Sequence, residues 1–323
     1  MRKIILDVDT GTDDATAIIL AALSKDIDLI GVTTVWGNRE IDITTKHTLM
    51  VTELIDRDIP VYKGCSGPMV RHLYRDLPPE KAELPEPFDE KGPVAYHGDF
   101  NLPEPKRVAE DIDAVTYLIK TLRTTKEKIT LVPVGPLTNI ALALIIAPDI
   151  VENIEEIVIM GGGMTQSNAT TVGESNIVND PEAAQIVNLA NVKKTWVTLD
   201  ATHTASLPAE YIEFCKNLHT TIGDFFADML VERIRVYNKM QPLFVKDIAP
   251  IHDALCIAYL IDPSVLDDLR HVHLDICLDR GPGIGAFLID NRHFSLKPNA
   301  YVAYSGDRDK FGQIVMDVLK NSQ

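Results

Sequence analysis

The hydrophobic positions alternate between short β-branched runs and longer stretches with a helical period. Lys3 to Val8 (KIILDV) is a short apolar run, and after a polar turn the stretch from Asp13 to about Leu23 shows a helical pattern. Asp28 to Val35 (DLIGVTTV) repeats the strand pattern, and a helical pattern from roughly Glu40 to Ile55 follows it. This alternation predicts an α/β fold with an open, mostly parallel central sheet and helices on both faces.

The alternation resumes beyond a long irregular stretch at about 64–106. This stretch holds eight of the 19 prolines and has no sustained period, so we expect a long loop insertion at the surface. No change in composition marks a linker, and residues 1–323 are predicted to form a single domain. The helices predicted beyond the insertion lie at 108–122 and 137–147, one begins at 180, several more follow residue 199 and extend to 261, and a last helix closes the chain. The predicted strands lie at 129–134, 156–160 and 195–199, with strand-like segments at 272–278, 284–289 and 299–304.

Composition and charge narrow the class of protein. Of the 323 residues, 46% are apolar and 24% are charged, a balance that is typical of soluble globular proteins. The net charge of −16 repels phosphate backbones and anionic headgroups, which argues against nucleic-acid and membrane partners. The four cysteines lie far apart in the sequence, and the first apolar run is far shorter than a signal-peptide core. We therefore expect reduced thiols and a cytoplasmic protein.

An acidic motif, Asp7-Val8-Asp9-Thr10-Gly11-Thr12-Asp13-Asp14, follows the first predicted strand. Four carboxylates so close together repel one another unless a cation or hydrogen-bond donors compensate, and ligand sites in open α/β sheets lie beyond the ends of strands. Since no His or Cys accompanies them, the ligand set favours Ca²⁺ or Mg²⁺ over Zn²⁺. Asp13 alone is explained equally well as a helix cap, but the four together predict a cation site.

Further polar groups follow other predicted strands or open predicted helices. Asn and Glu side chains can both donate to and accept from sugar hydroxyls, although a polar loop, a turn or a helix cap would explain each group on its own. We expect those that follow strands to share one rim of the sheet. The groups are Gly37-Asn38, Gly135-Pro136-Leu137-Thr138-Asn139, the loop residues Asn168, Glu174 and Asn176, and His252-Asp253.

Taken in this order, the motifs resemble those of the inosine-uridine-preferring nucleoside hydrolases, which are calcium-dependent N-ribohydrolases. The resemblance runs nearly end to end and implies hydrolysis of ribonucleosides to free nucleobase and ribose, in nucleoside catabolism and salvage. Its carriers are the acidic motif 7–14, Thr33-Thr34-Val35-Trp36-Gly37-Asn38, Gly135 to Asn139, Met160-Gly161-Gly162, Glu174-Ser175-Asn176, Asp180-Pro181-Glu182-Ala183-Ala184, and His252-Asp253.

The resemblance also implies roles for individual residues. Ca²⁺ would be held by Asp9, Asp14, Asp253 and the backbone carbonyl of Thr138, and Asp9 would take a proton from a Ca²⁺-bound water that attacks C1′ of the ribose. His252 would be the leaving-group acid or a contact to the base. The substrate-binding set would comprise Asp13, Asn38, Asn168, Glu174, Asn176 and Asp253, together with His97 of the His97-Gly98 pair in a flexible active-site loop.

The same likeness suggests a homodimer or homotetramer with a ribonucleoside as its small-molecule partner. It leaves open whether purine or pyrimidine nucleosides are preferred. Before the predicted helix that starts near His252, candidate base-recognising residues occur in no clear register. They are Arg235, Tyr237, Asn238, Met240 and Phe244.

Two alternatives stay open at this point. Asp7-x-Asp9 after a hydrophobic strand also resembles the first motif of haloacid dehalogenase-like, Mg²⁺-dependent phosphatases, with Asp7 as the nucleophile. The required later Gly-Asp-x-x-x-Asp is missing, because Gly306-Asp307-Arg308-Asp309 has the wrong spacing. A catalytically inactive, metal-dependent nucleoside-binding protein is the other alternative, and the presence of both Asp9 and His252 argues against it.

Overall fold

The computed structural model describes residues 1–73, 88–89, 92–93, 95–292 and 296–322. Within these residues nine strands form one sheet in the order β12-β11-β13-β8-β7-β6-β1-β2-β3, and two two-stranded sheets lie beside it. The strands are β1 (Arg2–Val8), β2 (Ile27–Thr34), β3 (Val61–Lys63), β4 (Phe88–Asp89), β5 (Gly92–Pro93), β6 (Ile129–Pro133), β7 (Ile154–Met160), β8 (Lys194–Val197), β9 (Leu207–Pro208), β10 (Ile248–Ala249), β11 (Asp268–Ile276), β12 (Phe287–Asp290) and β13 (Ala300–Ser305).

Helices connect most of these strands, as parallel pairing requires. They are α1 (Thr12–Leu23), α2 (Ile41–Ile55), α3 (Ala114–Thr124), α4 (Thr138–Ile146), α5 (Ser175–Asn179), α6 (Pro181–Leu189), α7 (Leu199–Thr204), α8 (Glu210–Lys216), α9 (Thr221–Met240), α10 (His252–Ile261) and α11 (Arg308–Leu319). Among the described residues, no helix has the length and apolar character needed to cross a bilayer.

The sheet is parallel from β13 to β3, and at the other edge β11 pairs antiparallel with both β13 and β12. β1 lies between β2 and β6 and is buried on both faces. Ile4 and Leu6 belong to one apolar core, with side chains from α1, α9, α10 and α11, whereas Ile5 belongs to a second core, with side chains from α3, α4 and α6. The predicted mostly parallel sheet with helices on both faces is therefore confirmed.

Two helices illustrate how the observed elements differ from the sequence prediction. The helix predicted at 108–122 begins only at Ala114, because the Asp113 side chain caps it by accepting from the backbone N–H of Thr116 at 2.9 Å, and Val108 is exposed. The short helix α5 was not predicted. Its N-cap is Glu174, whose carboxylate accepts from the N–H groups of Asn176 and Ile177.

Residues 74–87, 90–91 and 94 of the predicted insertion at 64–106 lie outside the described residues. Its described parts include a turn of 3₁₀ helix at Arg71–Leu73, the β4–β5 pair and residues 95–106, which contain His97. The single-domain organisation over 1–323 stays a prediction.

Candidate active site

Three carboxylates meet where two helices begin. Asp13 and Asp14 lie in the first turn of α1, Asp253 lies in the first turn of α10, and these two helices pack against each other. All three side chains are buried, and one oxygen of each lies within 4.8 Å of the others. The arrangement gathers hard oxygen ligands of the kind that Ca²⁺ and Mg²⁺ prefer.

Burial and mutual repulsion set the protonation of this group. Burial, and then the charge of Asp13, raise the pKa of Asp14 to about 7. The same two causes, joined by the charge of Asp14, raise the pKa of Asp253 well above its ordinary value. Such carboxyls ionise readily only beside a compensating positive charge.

Asp9 follows β1 and adjoins this group of three without being a member of it. Its backbone N–H donates to Oδ1 of Asp14 at 3.0 Å, and its own Oδ2 accepts from the backbone N–H of Asn38 at 2.6 Å. Burial, and then the charge of Asp14, raise the pKa of Asp9 well above its usual range. Asp9 is thus a fixed, buried carboxyl next to the candidate cation site.

Two glycines make room for the Asp9 carboxylate. A Cβ added to Gly37, whose φ is +155°, would lie 2.2 Å from Oδ2, and a Cβ added to Gly135 would lie 2.8 Å from Oδ1. Both distances are shorter than non-bonded atoms allow. The glycines that follow β2 and β6 therefore let the Asp9 side chain lie directly against the backbone.

Thr138 lies at the start of α4, and its side chain is already engaged. Its hydroxyl donates to Oδ2 of Asp180 at 2.7 Å and accepts from Nε1 of Trp36 at 3.3 Å. A role for Thr138 as a cation ligand through its backbone carbonyl is compatible with this use of the hydroxyl, and that role stays a prediction.

Arg233 of α9 is the main site residue that the sequence analysis missed. Its Nη1 lies 3.2 Å from Oδ1 of Asp13 and donates to the Thr12 hydroxyl at 2.9 Å, while its Nε donates to the carbonyl of Pro250 at 2.9 Å. Burial alone would favour neutral Asp13, but the Arg233 guanidinium lowers the pKa of that carboxyl below its ordinary value. Asp13 is therefore a charged, fixed acceptor.

The helix pattern does contain a signal for Arg233. It occupies the same helical stripe as Phe226, Leu230 and Tyr237, all of which are buried. An arginine in an otherwise apolar stripe indicates a buried partner of opposite charge, since an unpaired charge is costly to bury.

His252 begins α10 with both ring nitrogens engaged. Nδ1 lies 2.7 Å from the Thr202 hydroxyl, and Nε2 lies 2.6 Å from the Tyr237 hydroxyl. Burial, and then the charge of Arg233, lower the pKa of His252 well below its ordinary value. The imidazole is neutral at neutral pH, with one nitrogen donating and the other accepting.

His97 approaches the site from the insertion. Its Nδ1 lies 3.9 Å from Oδ1 of Asp13, and its ring lies over Gly11, where any Cβ would overlap it. Nη1 of Arg39 donates to the His97 carbonyl at 3.2 Å and holds this part of the insertion near α1.

The loop that follows β7 carries the three predicted sugar-binding residues. The Glu174 carboxylate accepts from the N–H of Gly162 at 3.1 Å, and burial raises its pKa to about 7. Nδ2 of Asn176 donates to the carbonyls of Val134 and Met160, which ties the ends of β6 and β7 together. Asn168 is exposed, and its Oδ1 accepts from the backbone N–H of Ser175 at 2.8 Å.

Asp7 does not join the other carboxylates of the acidic motif. Its Oδ1 accepts from the Thr33 hydroxyl at 2.5 Å and from Nδ2 of Asn139 at 2.7 Å, and the side chain is fully buried. A nucleophile must reach its substrate, and Asp7 is covered. The phosphatase alternative, which uses Asp7 in that role, is not favoured.

Comparison with known proteins agrees with this geometry. The family described as inosine-uridine preferring nucleoside hydrolase matches residues 4–313. The chain is 35% identical over 327 residues to the pyrimidine-specific ribonucleoside hydrolase RihB of Escherichia coli O157:H7, covering 99% of this chain and 97% of that one. It is 35% identical over 322 residues to the inosine-uridine preferring nucleoside hydrolase of Crithidia fasciculata, covering 99% and 98%.

A solved structure extends the likeness to the fold. The purine-preferring ribonucleoside hydrolase from Gardnerella vaginalis superimposes with a TM-score of 0.82 at 31% identity, over 99% of both chains. Together with the family match and the full-length identities, this shows that the chain belongs to the inosine-uridine preferring nucleoside hydrolases, enzymes that hydrolyse the N-glycosidic bond of ribonucleosides.

Proposed function

We propose that hydrolysis takes place at the carboxyl ends of β1, β2, β6 and β7, with Ca²⁺ held by Asp9, Asp14, Asp253 and the backbone carbonyl of Thr138. The observation that carries this proposal is the approach of buried oxygens of Asp13, Asp14 and Asp253 to within 4.8 Å of one another. An all-oxygen donor set fits a hard divalent cation, and the raised pKa values of Asp14 and Asp253 fit a site that ionises fully only when a cation is bound.

When bound, the cation would increase the acidity of water and screen the repulsion among the carboxylates. Asp9 is the proposed general base, because its Oδ2 is fixed by the Asn38 N–H and its carboxylate packs directly against the backbone at Gly37 and Gly135. Proton transfer from the attacking water to Asp9 would accompany attack at C1′ of the ribose.

Asp13, Asn38, Asn168, Glu174 and Asn176 are the proposed ribose contacts. The pairing of Asp13 with Arg233 supports this, since it keeps an ionised acceptor beside the candidate cation site. Asn176 uses its amide nitrogen on the protein, which leaves its Oδ1 as an acceptor for a sugar hydroxyl. Contacts that strengthen as the ring becomes oxocarbenium-like would accelerate bond cleavage.

At the leaving group, His252 is proposed to act through Tyr237. The Tyr237 hydroxyl is hydrogen-bonded to Nε2 of His252 at 2.6 Å. In this proposal the departing base contacts the hydroxyl, and the imidazole acts from behind it. Thr202 on Nδ1 fixes the orientation of the ring, and its hydroxyl can donate or accept as the proton moves. His97 is proposed to contact the nucleoside from the insertion side.

The preferred base is left open by the relatives, whose descriptions range from pyrimidine-specific to purine-preferring. The experiment is ribose release from inosine, uridine, cytidine and adenosine, with a chelator and after Ca²⁺ or Mg²⁺ is restored. Turnover that is lost on chelation and recovers best with Ca²⁺ supports the proposal. Release of ribose that is unaffected by exhaustive chelation contradicts the cation's role, and absence of ribose with cation bound supports the inactive binding protein.

The homodimer or homotetramer and the cytoplasmic compartment stay predictions. Light scattering of the purified protein tests the first, and fractionation of the source cells tests the second.

A further inference from the structure

The loops that follow β2 and β6 pack directly against each other beside Asp9. A Cβ added to Gly37 would lie 2.8 Å from Cδ of Pro136, and a Cβ added to Gly135 would lie 2.9 Å from Cγ1 of Val35. Both distances are shorter than non-bonded atoms allow, so no further side chain fits between the two loops. A contact that fixes one loop to the other therefore also fixes the groups that each loop brings to the proposed cation site.

Each loop holds or supplies one proposed cation ligand. The loop after β2 contains Asn38, whose backbone N–H donates to Oδ2 of Asp9 at 2.6 Å. The loop after β6 leads into α4, whose first residue is Thr138. The Asp9 carboxylate and the Thr138 carbonyl thus depend on two neighbouring segments, and their separation depends on how those segments are joined.

Trp36 joins the two segments through its side chain. Its indole Nε1 donates to the Thr138 hydroxyl at 3.3 Å, and that hydroxyl donates to Oδ2 of Asp180 at 2.7 Å. An indole N–H can only donate and a carboxylate can only accept, so both hydrogen bonds have a single direction. The Thr138 hydroxyl is therefore held in one orientation, between the segment that fixes Asp9 and the start of α6.

Both ends of this hydrogen-bonded chain are tied to the backbone. Asp180 is fully buried, and its carboxylate also accepts from the N–H groups of Met69 at 3.0 Å and Ala183 at 3.1 Å. At the other end, the backbone N–H of Trp36 donates to the carbonyl of Cys65 at 3.1 Å. Neither end is free to shift when the contact in the middle is made.

We propose that Trp36 is a positioning residue of the cation site: its indole N–H holds Thr138 and so sets the spacing between the Thr138 carbonyl and Asp9. The inference rests on the proposed function, because it takes the cation ligands from there. Removing a hydrogen-bond partner that orients a metal ligand lowers metal affinity by roughly 10- to 100-fold. A tryptophan that only filled space would support the fold without affecting cation affinity.

The test is the Ca²⁺ affinity of the full chain, measured by titration calorimetry without substrate, in the variant Trp36→Phe. This substitution keeps an aromatic ring and removes the N–H donor. Trp196→Phe is the matched control, because Trp196 undergoes the same change of ring on β8, and its Nε1 has no hydrogen-bond partner within the described residues. Melting temperatures in chelator establish that both variants fold.

A second pair of variants tests the same contact from the Thr138 side. Thr138→Val removes the hydroxyl and keeps the shape of the side chain, whereas Thr138→Ser keeps the hydroxyl. We expect Thr138→Val to weaken Ca²⁺ binding and Thr138→Ser to retain most of it. The double variant Trp36→Phe/Thr138→Val should bind no more weakly than Thr138→Val alone, since the indole then has no hydroxyl to hold.

We expect Trp36→Phe to bind Ca²⁺ about tenfold more weakly than the wild type, and Trp196→Phe to bind it equally well. At saturating Ca²⁺ the kcat of Trp36→Phe should return to near the wild-type value. Equal Ca²⁺ affinity of Trp36→Phe and the wild type would overturn the inference and leave the proposed function intact. Additive losses in the double variant would also overturn it, because Trp36 would then act without Thr138. Absence of Ca²⁺ binding by the wild type would overturn both the inference and the proposed cation site.

Discussion

Two groups of buried carboxyls lie near the same edge of the sheet and differ in the charges that face them. Asp7 and Asp180 face neutral donors of the chain: Oδ1 of Asp7 accepts from Thr33 and Asn139, and Asp180 accepts from the Thr138 hydroxyl and from the N–H groups of Met69 and Ala183. Asp13, Asp14 and Asp253 instead face one another across less than 4.8 Å. Burial is common to both groups, and Asp14 also accepts from the N–H groups of Asp9 and Gly11. The approach of other carboxylates, and not burial or a lack of donors, therefore separates a candidate ligand-binding carboxylate from a structural one.

The largest test of this difference exchanges a carboxylate for an amide at Asp7, in the first group, and at Asp9, which adjoins the second group. Asp9→Asn removes the proposed proton acceptor and one charge beside the cation, and we expect kcat/KM to fall on the order of a thousandfold with the fold retained. The matched variant Asp7→Asn should retain turnover within about tenfold, because the hydrogen bonds that the Asp7 carboxylate accepts in the described part of the chain come from Thr33 and Asn139.

Kinetics with a cleavable nucleoside and thermal melting of both variants provide the measurement. Near-wild-type turnover by the Asp9→Asn variant would exclude Asp9 as the general base. A larger loss in Asp7→Asn than in Asp9→Asn, at equal melting temperature, would reverse the comparison.

The second test concerns an exposed residue of the loop after β7. Asn168→Ala should weaken transition-state binding by about 2 kcal/mol, roughly thirtyfold in kcat/KM, through loss of a polar contact to the ribose. Ser167→Ala in the same loop is the control. With a series of deoxyribonucleosides, the defect should vanish for the substrate that lacks the hydroxyl held by Asn168; an equal defect with every substrate would indicate a purely structural role.

The third test separates Tyr237 from His252. Tyr237→Phe removes the hydroxyl at Nε2 of His252, and we expect kcat to fall roughly tenfold with little change in KM. Tyr96→Phe is a suitable control, because Tyr96 packs edge-on against Tyr237 at 6.0 Å between ring centroids. The predicted loss of kcat should be smaller for a substrate whose leaving group needs no proton, such as 4-nitrophenyl riboside, which releases nitrophenolate. A tenfold loss of kcat with every leaving group would contradict the proposal that His252 acts on the leaving group through Tyr237.

The smallest effect is on stability. Burial raises the pKa values of Asp7, Asp14 and Glu174 to about 7, so the folded chain holds these protons to higher pH than the unfolded chain does. Stability without cation should therefore fall as the pH rises from about 4 to about 7. Added Ca²⁺ should raise the melting temperature by a few degrees, more at pH 8 than at pH 5, because it replaces protons on the carboxylates.

Melting curves in chelator and in Ca²⁺ at both pH values measure this difference. Asp14→Asn should abolish the Ca²⁺ response. An equal response to Ca²⁺ at both pH values would show that the cation does not bind the carboxyls whose pKa is raised.

The sequence predicted the sheet, and it predicted which candidate residues follow the strand ends, because both depend on local patterns. Short apolar runs followed by polar turns mark the strand ends, and Asp9, Asp13 and Asp14 follow the first of these directly. Asp7 was grouped with them because spacing along the chain does not reveal its partners Thr33 and Asn139, which come from β2 and α4.

Other features depend on contacts between distant segments. The ion pair of Arg233 with Asp13 and the contact of Tyr237 with His252 need the packing of α9 against α1 and α10, which no local period specifies.

The packing of α1 against α10 has a consequence for a chain that is still being synthesised. Asp253 is separated from Asp14 by most of the described chain, so the carboxylates cannot meet until the segment that contains Asp253 has left the ribosome and packed as α10 against α1. Until then the nascent chain lacks one of the proposed cation ligands. Activity would therefore emerge only when folding is nearly complete, so that an unfinished chain cannot degrade the nucleosides around it.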